Sequence, residues 1–457
     1  MTRRHFLSAA EAAAVLRVRP ATLYAYVSRG LLRSEVDPEG RGRRYPAAEV
    51  EALARRAAGR RDPRQVARGA LDWGLPVLDS RLTLIDGGRI YYRGLDAVEL
   101  ARTGETLERV AALLWLGDLA APLPPVAPAR LAILPRLEAQ LAATRAWRPF
   151  QRLQALLPFA TAEDPGAYDL RPPAVIASGA WLIQLLAAIA AGKTRCLLEG
   201  TEPPSAAGQL AAAWAAAQPA RPSEGARKAG VGPTRAMAVG GRGSGSTETV
   251  LRRPIEAALV LCADHELNVS AFTARCVASA GAPPQAAVAA GLAAVGGSRH
   301  GGQTERVEAL LDEVSPPASH SASRGSSTTV RDRLADRLRR GEEIPGFGHP
   351  LYHDGDPRAR LLLDLAAASR PRSLHLDAAS ELAAAALDLL GERPNLDFGL
   401  VTLARALDLP PGAALALFAV GRSAGWIAHV VEQYDDSRLI RPRARYTGPM
   451  PHRPEVD

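Results

Sequence analysis

From Ala97 onward the chain is dominated by Ala/Leu-rich stretches whose apolar residues recur at helical spacing, as in Leu107, Val110, Ala111, Leu113, Leu114 and Leu116. That period lays an apolar stripe along a helix and does not fit the two-residue alternation of a half-buried strand. The larger part of the 457-residue chain is therefore expected to be all-α, or mainly α. A chain of this length suits two or three globular units. The most apolar stretch, Ser178 to Ala191, is shorter than a bilayer requires and carries Gln184, so no membrane span is expected. The N-terminus lacks the apolar core of a secretion signal, which predicts a cytoplasmic protein. Cys196, Cys262 and Cys276 have spacings that suit neither a disulfide framework nor a zinc site, and read as small hydrophobes.

Charge is distributed unevenly. Residues 1–66 hold fourteen arginines against seven acids, nearly all of the chain's net +8. Ser8 and Glu11 form an S-x-x-E capping box ahead of an apolar face that includes Val15 and Leu16. A second helix starts at Pro20 and stops at Gly30, and a Gly/Pro/Arg stretch from Arg33 to Pro46 precedes a helical run from Ala47 to Arg56. The pattern resembles a helix-turn-helix with a basic wing, of the MerR or excisionase type. In that reading Thr22 and Tyr24 lie on the recognition helix, and Arg41, Arg43 and Arg44 meet phosphates. The alternative is a helical accessory domain whose arginines are only solvated. The predicted boundaries are 1–60 for this domain, 61–78 for a linker and 79–450 for the rest.

The larger part opens on a hairpin signal, Ile85 to Gly94, with Gly87 and Gly88 at the turn. Two stretches, Pro219–Gly245 and Ser315–Thr329, are too polar and Gly/Pro/Ser-rich to bury a core and read as loops or disorder. His320 falls in the second and is expected to be inert. Four islands break the Ala/Leu background: Asp264–Ser270, Gly296–Gly302, Ile344–Pro350 with Asp356-Pro357-Arg358, and Pro394–Gly399. Each sets ionisable residues mostly among Gly or Pro, which permit close backbone approach to a ligand and fix local geometry. A single histidine in such a place is more often structural than catalytic.

The islands, in this order and spacing, resemble those of the citrate synthase family, as does the tail, with Gly421–Trp426 and Arg438–Arg443. The resemblance runs from about Asp79 to Pro449. It implies citrate-synthase-like large and small helical domains, with the small-domain insertion around 300–400, in a homodimer. It also implies an acyltransferase of the tricarboxylic acid cycle that condenses acetyl-CoA with oxaloacetate, without metal or other cofactor. Carried over residue by residue, His300 holds the thioester oxygen, Asp397 is the base and His349 polarises the oxaloacetate carbonyl. His265, Arg358 and Arg422 bind oxaloacetate within one subunit, and Arg441 reaches it from the partner. Ile344, Gly346, Phe347 and Asn395 match the CoA site. Arg299, beside His300, departs from the Pro-Leu common in the family at that place, and puts a charge next to the active histidine. Arginine forks suit a dicarboxylate, and a carboxylate base working on a carbon acid needs hydrogen-bond donors on the oxygen that gains charge.

Two other functions remain open at this level. One is 2-methylcitrate synthesis from propionyl-CoA, since one methylene in an acyl pocket is worth only about 1–3 kcal/mol. The other is a DNA-binding regulator whose synthase-like part senses ligand.

Overall fold

The computed structural model describes residues 6–16, 18–28, 31–36, 42–47, 49–50, 53, 78–164, 166–194, 197, 205–218, 244–314 and 329–450. Gly30, Arg41, Cys196, His320 and most of the two polar stretches lie outside them. The chain divides into two compact units, Met1–Asp79 and Ser80–Asp457.

The first unit contains β1 (Phe6–Ser8), α1 (Ala9–Leu16), α2 (Pro20–Ser28), β2 (Glu35–Val36) and β3 (Arg43–Pro46). Its strands form an antiparallel sheet in the order β1-β3-β2. The capping box is present: Ser8 N–H donates to Glu11 Oε2 at 2.9 Å and Glu11 N–H donates to Ser8 Oγ at 3.3 Å. Ala12, Ala13, Leu16, Leu23, Leu32, Tyr45 and Val50 make a separate small core.

The second unit opens on β4 (Thr83–Asp86), β5 (Arg89–Tyr92) and β6 (Leu95–Asp96), an antiparallel sheet. Gly87 and Gly88 join the first two strands with φ of 55° and 73°, the two positive angles that a tight hairpin turn of matching twist demands. Asp96 then caps α3 (Ala97–Thr103) through the N–H groups of Val98 and Glu99. There follow α4 (Leu107–Leu116), α5 (Pro128–Leu131), α6 (Leu134–Ala143), α7 (Pro149–Thr161), α8 (Pro172–Ala191), α9 (Ala206–Ala217) and α10 (Ser244–Cys262). Next come α11 (Val269–Ser279), α12 (Pro284–Val295), α13 (Gly302–Val314), α14 (Val330–Arg339), α15 (Pro357–Ser369), α16 (Leu374–Leu390), α17 (Leu396–Ala406) and α18 (Ala413–Asp436). The mainly helical expectation therefore holds, with the strands of the described residues confined to short pieces ahead of α3.

Helix α8 begins at Pro172, six residues before the apolar run read from the sequence, and with α18 is long and apolar enough to cross a membrane. Both are core helices here, with 83% and 94% of their apolar windows buried inside the protein. Helix α18 is the hub: it packs against α4, α8, α10, α11, α12 and α17. The approach to α10 depends on glycine, because a Cβ on Gly421 would overlap the carbonyl oxygen of Leu259, and one on Gly425 that of Ala263. Gly421→Ala is expected to destabilise the second unit by about 1–3 kcal/mol through overpacking, read as a lower denaturant midpoint.

One buried carboxyl in this core works against stability. Glu256 on α10 accepts the Leu107 N–H at 2.8 Å, yet burial, and then the charge of Glu108, pushes its pKa up to about 8. The folded state thus keeps a proton that the unfolded chain gives up near pH 4.5, so stability falls as pH rises from about 4.5 to about 8. Glu256→Gln keeps the acceptor and removes the charge. It should stabilise the protein by on the order of 2 kcal/mol at pH 7 and flatten the dependence of melting temperature on pH across that window.

Candidate active site

Each island occupies a tight connection at a helix end. Asn268 caps α11, accepting the N–H groups of Ser270 and Ala271 at 3.1 Å each, and its Nδ2 donates to His265 O at 3.3 Å, which fixes His265 at the end of the preceding turn. Glu266 takes a left-handed φ of 52° to make that turn, a strained conformation of the kind kept where geometry matters. His300 sits in the turn between α12 and α13, where Gly297 O accepts the N–H groups of both His300 and Gly302. Asn395 caps α17 through the N–H of Asp397 and Phe398, leaving Asp397 in the first helical turn. Gly346 and Gly348 have φ of 92° and 73°, and their loop is stitched to the residues before α17 by Gly348 N–H to Arg393 O and Asn395 N–H to Gly346 O, each 2.9 Å.

These connections converge. The rings of His265 and His349 meet edge to face with centroids 5.3 Å apart, and Tyr352 lies against both, its hydroxyl 3.0 Å from His265 Nε2. Arg358 stacks its guanidinium 5.2 Å over Tyr352 and is gripped by Asp356 through two bonds of 3.0 and 2.8 Å. Asp356 also accepts the Leu396 N–H at 3.1 Å, which ties Arg358 to the turn carrying Asp397. On the other side Phe418 links His300, at 5.7 Å between centroids, to Arg422, whose guanidinium lies 4.7 Å over the ring. Six of the seven residues expected at the catalytic and oxaloacetate positions, His265, His300, His349, Arg358, Asp397 and Arg422, thus share one neighbourhood.

Its electrostatics favour neutral imidazoles beside permanent cations. Burial, reinforced by Arg422, lowers His300 to about 4, and burial with Arg358 does the same to His349. His265 is held well below its ordinary value by burial and by both arginines. Burial works against the charge on Arg358, but Asp356 more than offsets it and raises that pKa. Burial lifts Asp397 to about 7, although Arg358 pulls it back. At neutral pH the group therefore combines three uncharged rings, two guanidinium forks and a carboxyl poised to gain or lose a proton.

Hydrogen bonds decide which ring nitrogens carry hydrogen. Leu351 N–H donates to His349 Nδ1 at 3.1 Å, so the neutral ring bears its hydrogen on Nε2 and presents a donor there. His300 Nε2 lies 2.9 Å from Ser270 Oγ, which is also 2.7 Å from Asn268 Oδ1. The single hydroxyl hydrogen serves one of these two. When it goes to His300, the ring hydrogen is placed on Nδ1.

Ile344, Gly346, Phe347 and Asn395 line one cleft of about 500 Å³. A side chain on Gly346 would run into Val307 at 2.8 Å, so the backbone there has to be bare. Glu342, Glu343 and Glu392 also face this cleft, an acidic rim that the sequence reading did not foresee. Arg441 is not part of the cluster: it lies on the exposed tail that follows α18. Arg299 is exposed at the tip of the His300 turn. Among the described residues no group of His, Cys, Asp and Glu is arranged to hold a metal ion.

In the first unit Thr22 is half-buried and Tyr24 exposed on α2, and Arg43 is exposed on β3. Arg44 is committed elsewhere. It pairs with Glu35 at 3.1 Å and stacks 4.1 Å over Phe6, bracing β3 between its two neighbours, so a phosphate would have to compete for it.

Sequence reading passed over Tyr352, Phe418 and the role of Ser270. Tyr352 lies three residues after His349, within the same tight turn, and only the fold reveals that its hydroxyl reaches His265. Asp356 had a local signal, since a carboxylate one residue before Pro357 is a helix cap.

Fold and cluster together define a mainly helical protein with a buried acid–base centre flanked by two arginines. Residues 70–443 match the profile of the citrate synthase C-terminal domain, and residues 6–58 match that of a helix-turn-helix domain. The chain belongs to the citrate synthase family, with a helix-turn-helix domain at its N-terminus. The citrate synthase of Haloferax volcanii is 37% identical over 207 residues, 44% of this chain and 51% of that protein. Citrate synthase 2 of Bacillus subtilis is 36% identical over 199 residues, covering 42% and 50%. In these pairings the chain spans about half the length of the relative. The crystal structure of citrate synthase from Thermotoga maritima superposes with a TM-score of 0.58 at 25% identity, over 83% of this chain and 96% of that one. The citrate synthase of Thermoplasma acidophilum, solved as a ternary complex with carboxymethyl coenzyme A and oxaloacetate, gives 0.60 at 22% identity and the same coverage, a likeness of fold.

Proposed function

We propose that the protein condenses acetyl-CoA with oxaloacetate and water to give citrate and CoA, as a cytoplasmic homodimer. The observation that carries this reading is the gathering of three neutral histidines and Asp397 around the buried Arg358 and Arg422. In it, Asp397 takes a proton from the acetyl methyl group while His300, its Nε2 seated 2.9 Å from Ser270 Oγ, donates a hydrogen bond to the thioester oxygen. The enol carbon attacks the oxaloacetate carbonyl carbon, whose oxygen is polarised by the Nε2–H of His349. Water then cleaves the thioester, releasing CoA. Arg358, Arg422 and His265 hold the oxaloacetate carboxylates, and the partner subunit's Arg441 completes their binding; its exposure on a tail is compatible with that. Ile344, Gly346, Phe347 and Asn395 form the wall for CoA. No step calls for a metal.

The test is release of free CoA thiol from acetyl-CoA or propionyl-CoA in the presence of oxaloacetate. Faster turnover with acetyl-CoA is expected. A preference for propionyl-CoA reassigns the protein to 2-methylcitrate synthesis, and no release with either favours a regulator with a ligand-sensing core. A second task, DNA binding, is supported by the exposed Tyr24 on α2 and Arg43 on the wing of a domain matching a helix-turn-helix. Retardation of duplex DNA that weakens steeply with salt is the expected result, and no retardation at low salt removes this reading.

A further inference from the structure

His429 is fully buried on α18, seven residues after Arg422 and so two turns along the same helix face. Nothing in the proposed chemistry uses it. Its Nε2 lies 3.3 Å from Asp264 Oδ1, within ion-pair distance but not aligned as a hydrogen bond, and among the described residues neither ring nitrogen nor that oxygen has a hydrogen-bond partner. Asp264 is also fully buried, and its second oxygen accepts the Thr83 hydroxyl at 2.5 Å. Sinking an imidazole and a carboxylate in a core costs stability that apolar side chains of similar volume would not.

The pair falls into a series. Arg422 Nε donates to Cys262 O at 2.6 Å, Gly425 N–H donates to Ala263 O at 2.9 Å, and His429 faces Asp264. One face of α18 thus grips three consecutive residues at the end of α10, and the next residue is His265. From the opposite side the buried Tyr92 hydroxyl lies 3.1 to 3.3 Å from the carbonyl oxygens of Val260, Leu261 and Asp264. His429 is the last clamp before the substrate histidine, and it shares a helix with a substrate arginine.

We infer that His429 and Asp264 are positioning residues that set His265 and Arg422 in register for the oxaloacetate carboxylates. This rests on the functional reading above. The pair touches nothing in the CoA cleft, so its loss should act on one substrate only. His429→Phe fills the space without a hydrogen-bond donor. It is expected to raise the KM for oxaloacetate by about 10-fold or more and to lower kcat, with the KM for acetyl-CoA changed less than about twofold. His429→Gln, which keeps a side-chain N–H, should recover most of the loss. Thr83→Val, which removes the support from the other carboxylate oxygen, should show the same split to a smaller degree and serves as the readout if His429→Phe does not fold. Constants for the folded Phe variant, or for Thr83→Val in its place, that match wild type overturn the inference. So does an equal rise in both KM values, or a Gln variant as impaired as Phe. A wild-type protein that neither releases CoA nor melts higher with oxaloacetate sinks the functional reading itself and this inference with it.

Discussion

Asp397→Asn is expected to lower kcat for condensation by about 10³-fold while leaving the fold and the KM for oxaloacetate nearly unchanged. Asparagine has the same shape, and the start of α17 is held by Asn395 rather than by Asp397, so the helix keeps its cap. What disappears is a buried carboxylate held by neither an arginine nor a threonine among the described residues, whereas Asp356 is locked to Arg358 and Asp264 to Thr83. The wild-type pH profile gives a second readout. Burial raises Asp397 to about 7, and a base works only when deprotonated, so kcat/KM should climb through a limb near pH 7 as pH rises. His300 and His349 stay neutral down to about pH 4, so they add no limb of their own above that value. The raised carboxyl also means that the folded state loses stability as pH climbs from about 4 to about 7, and the Asn variant escapes that loss. At pH 8 it should therefore melt above wild type while being nearly inactive. Turnover within about tenfold of wild type would remove Asp397 from the role of base.

Much of this site was legible before any fold was known, and the reason is local. Islands of Gly, Pro and ionisable residues in a helical background mark helix ends, where side chains can converge and backbone can meet a ligand. The hairpin at Gly87-Gly88 was legible for a similar reason, since two positive φ angles in a row leave few other residues to choose from. What escaped was everything that depends on pairing distant segments. Glycine at 421 and 425 looks like a weak point in a helix until the carbonyl oxygens of Leu259 and Ala263 are seen beneath it. His429 lies in an apolar stretch with no neighbouring Gly or Pro to single it out, and its partner is 165 positions away. Arg44 looked like a phosphate ligand because its sequence neighbours are basic, but register places Glu35 opposite it and Phe6 beneath its guanidinium. Helix α8 extends back beyond the apolar run to Pro172, since Pro172 and Pro173 are well placed at the first positions of a helix.

Asp356→Ala should be the most damaging substitution to stability among the residues around the site, at about 3–5 kcal/mol. Three losses coincide. Arg358, 2% exposed, would keep its charge in the core without its carboxylate. Helix α15 would lose its cap on the Arg358 N–H, and the Leu396 N–H, one residue before the proposed base, would lose its acceptor. The first loss dominates, because leaving an unpaired buried charge costs far more than the pair contributes while intact. Removing Arg358 as well should therefore restore part of the deficit, so that the double variant Asp356→Ala/Arg358→Ala is more stable than Asp356→Ala alone. A useful contrast is Arg331–Asp388, whose side chains are 59% exposed on both sides; Asp388→Ala should leave the unfolding curve unmoved. Denaturant unfolding of the three variants reads these differences directly. If Asp356→Ala unfolds with the wild-type midpoint, Arg358 must have found water or another partner, and the cluster is more open than its geometry states.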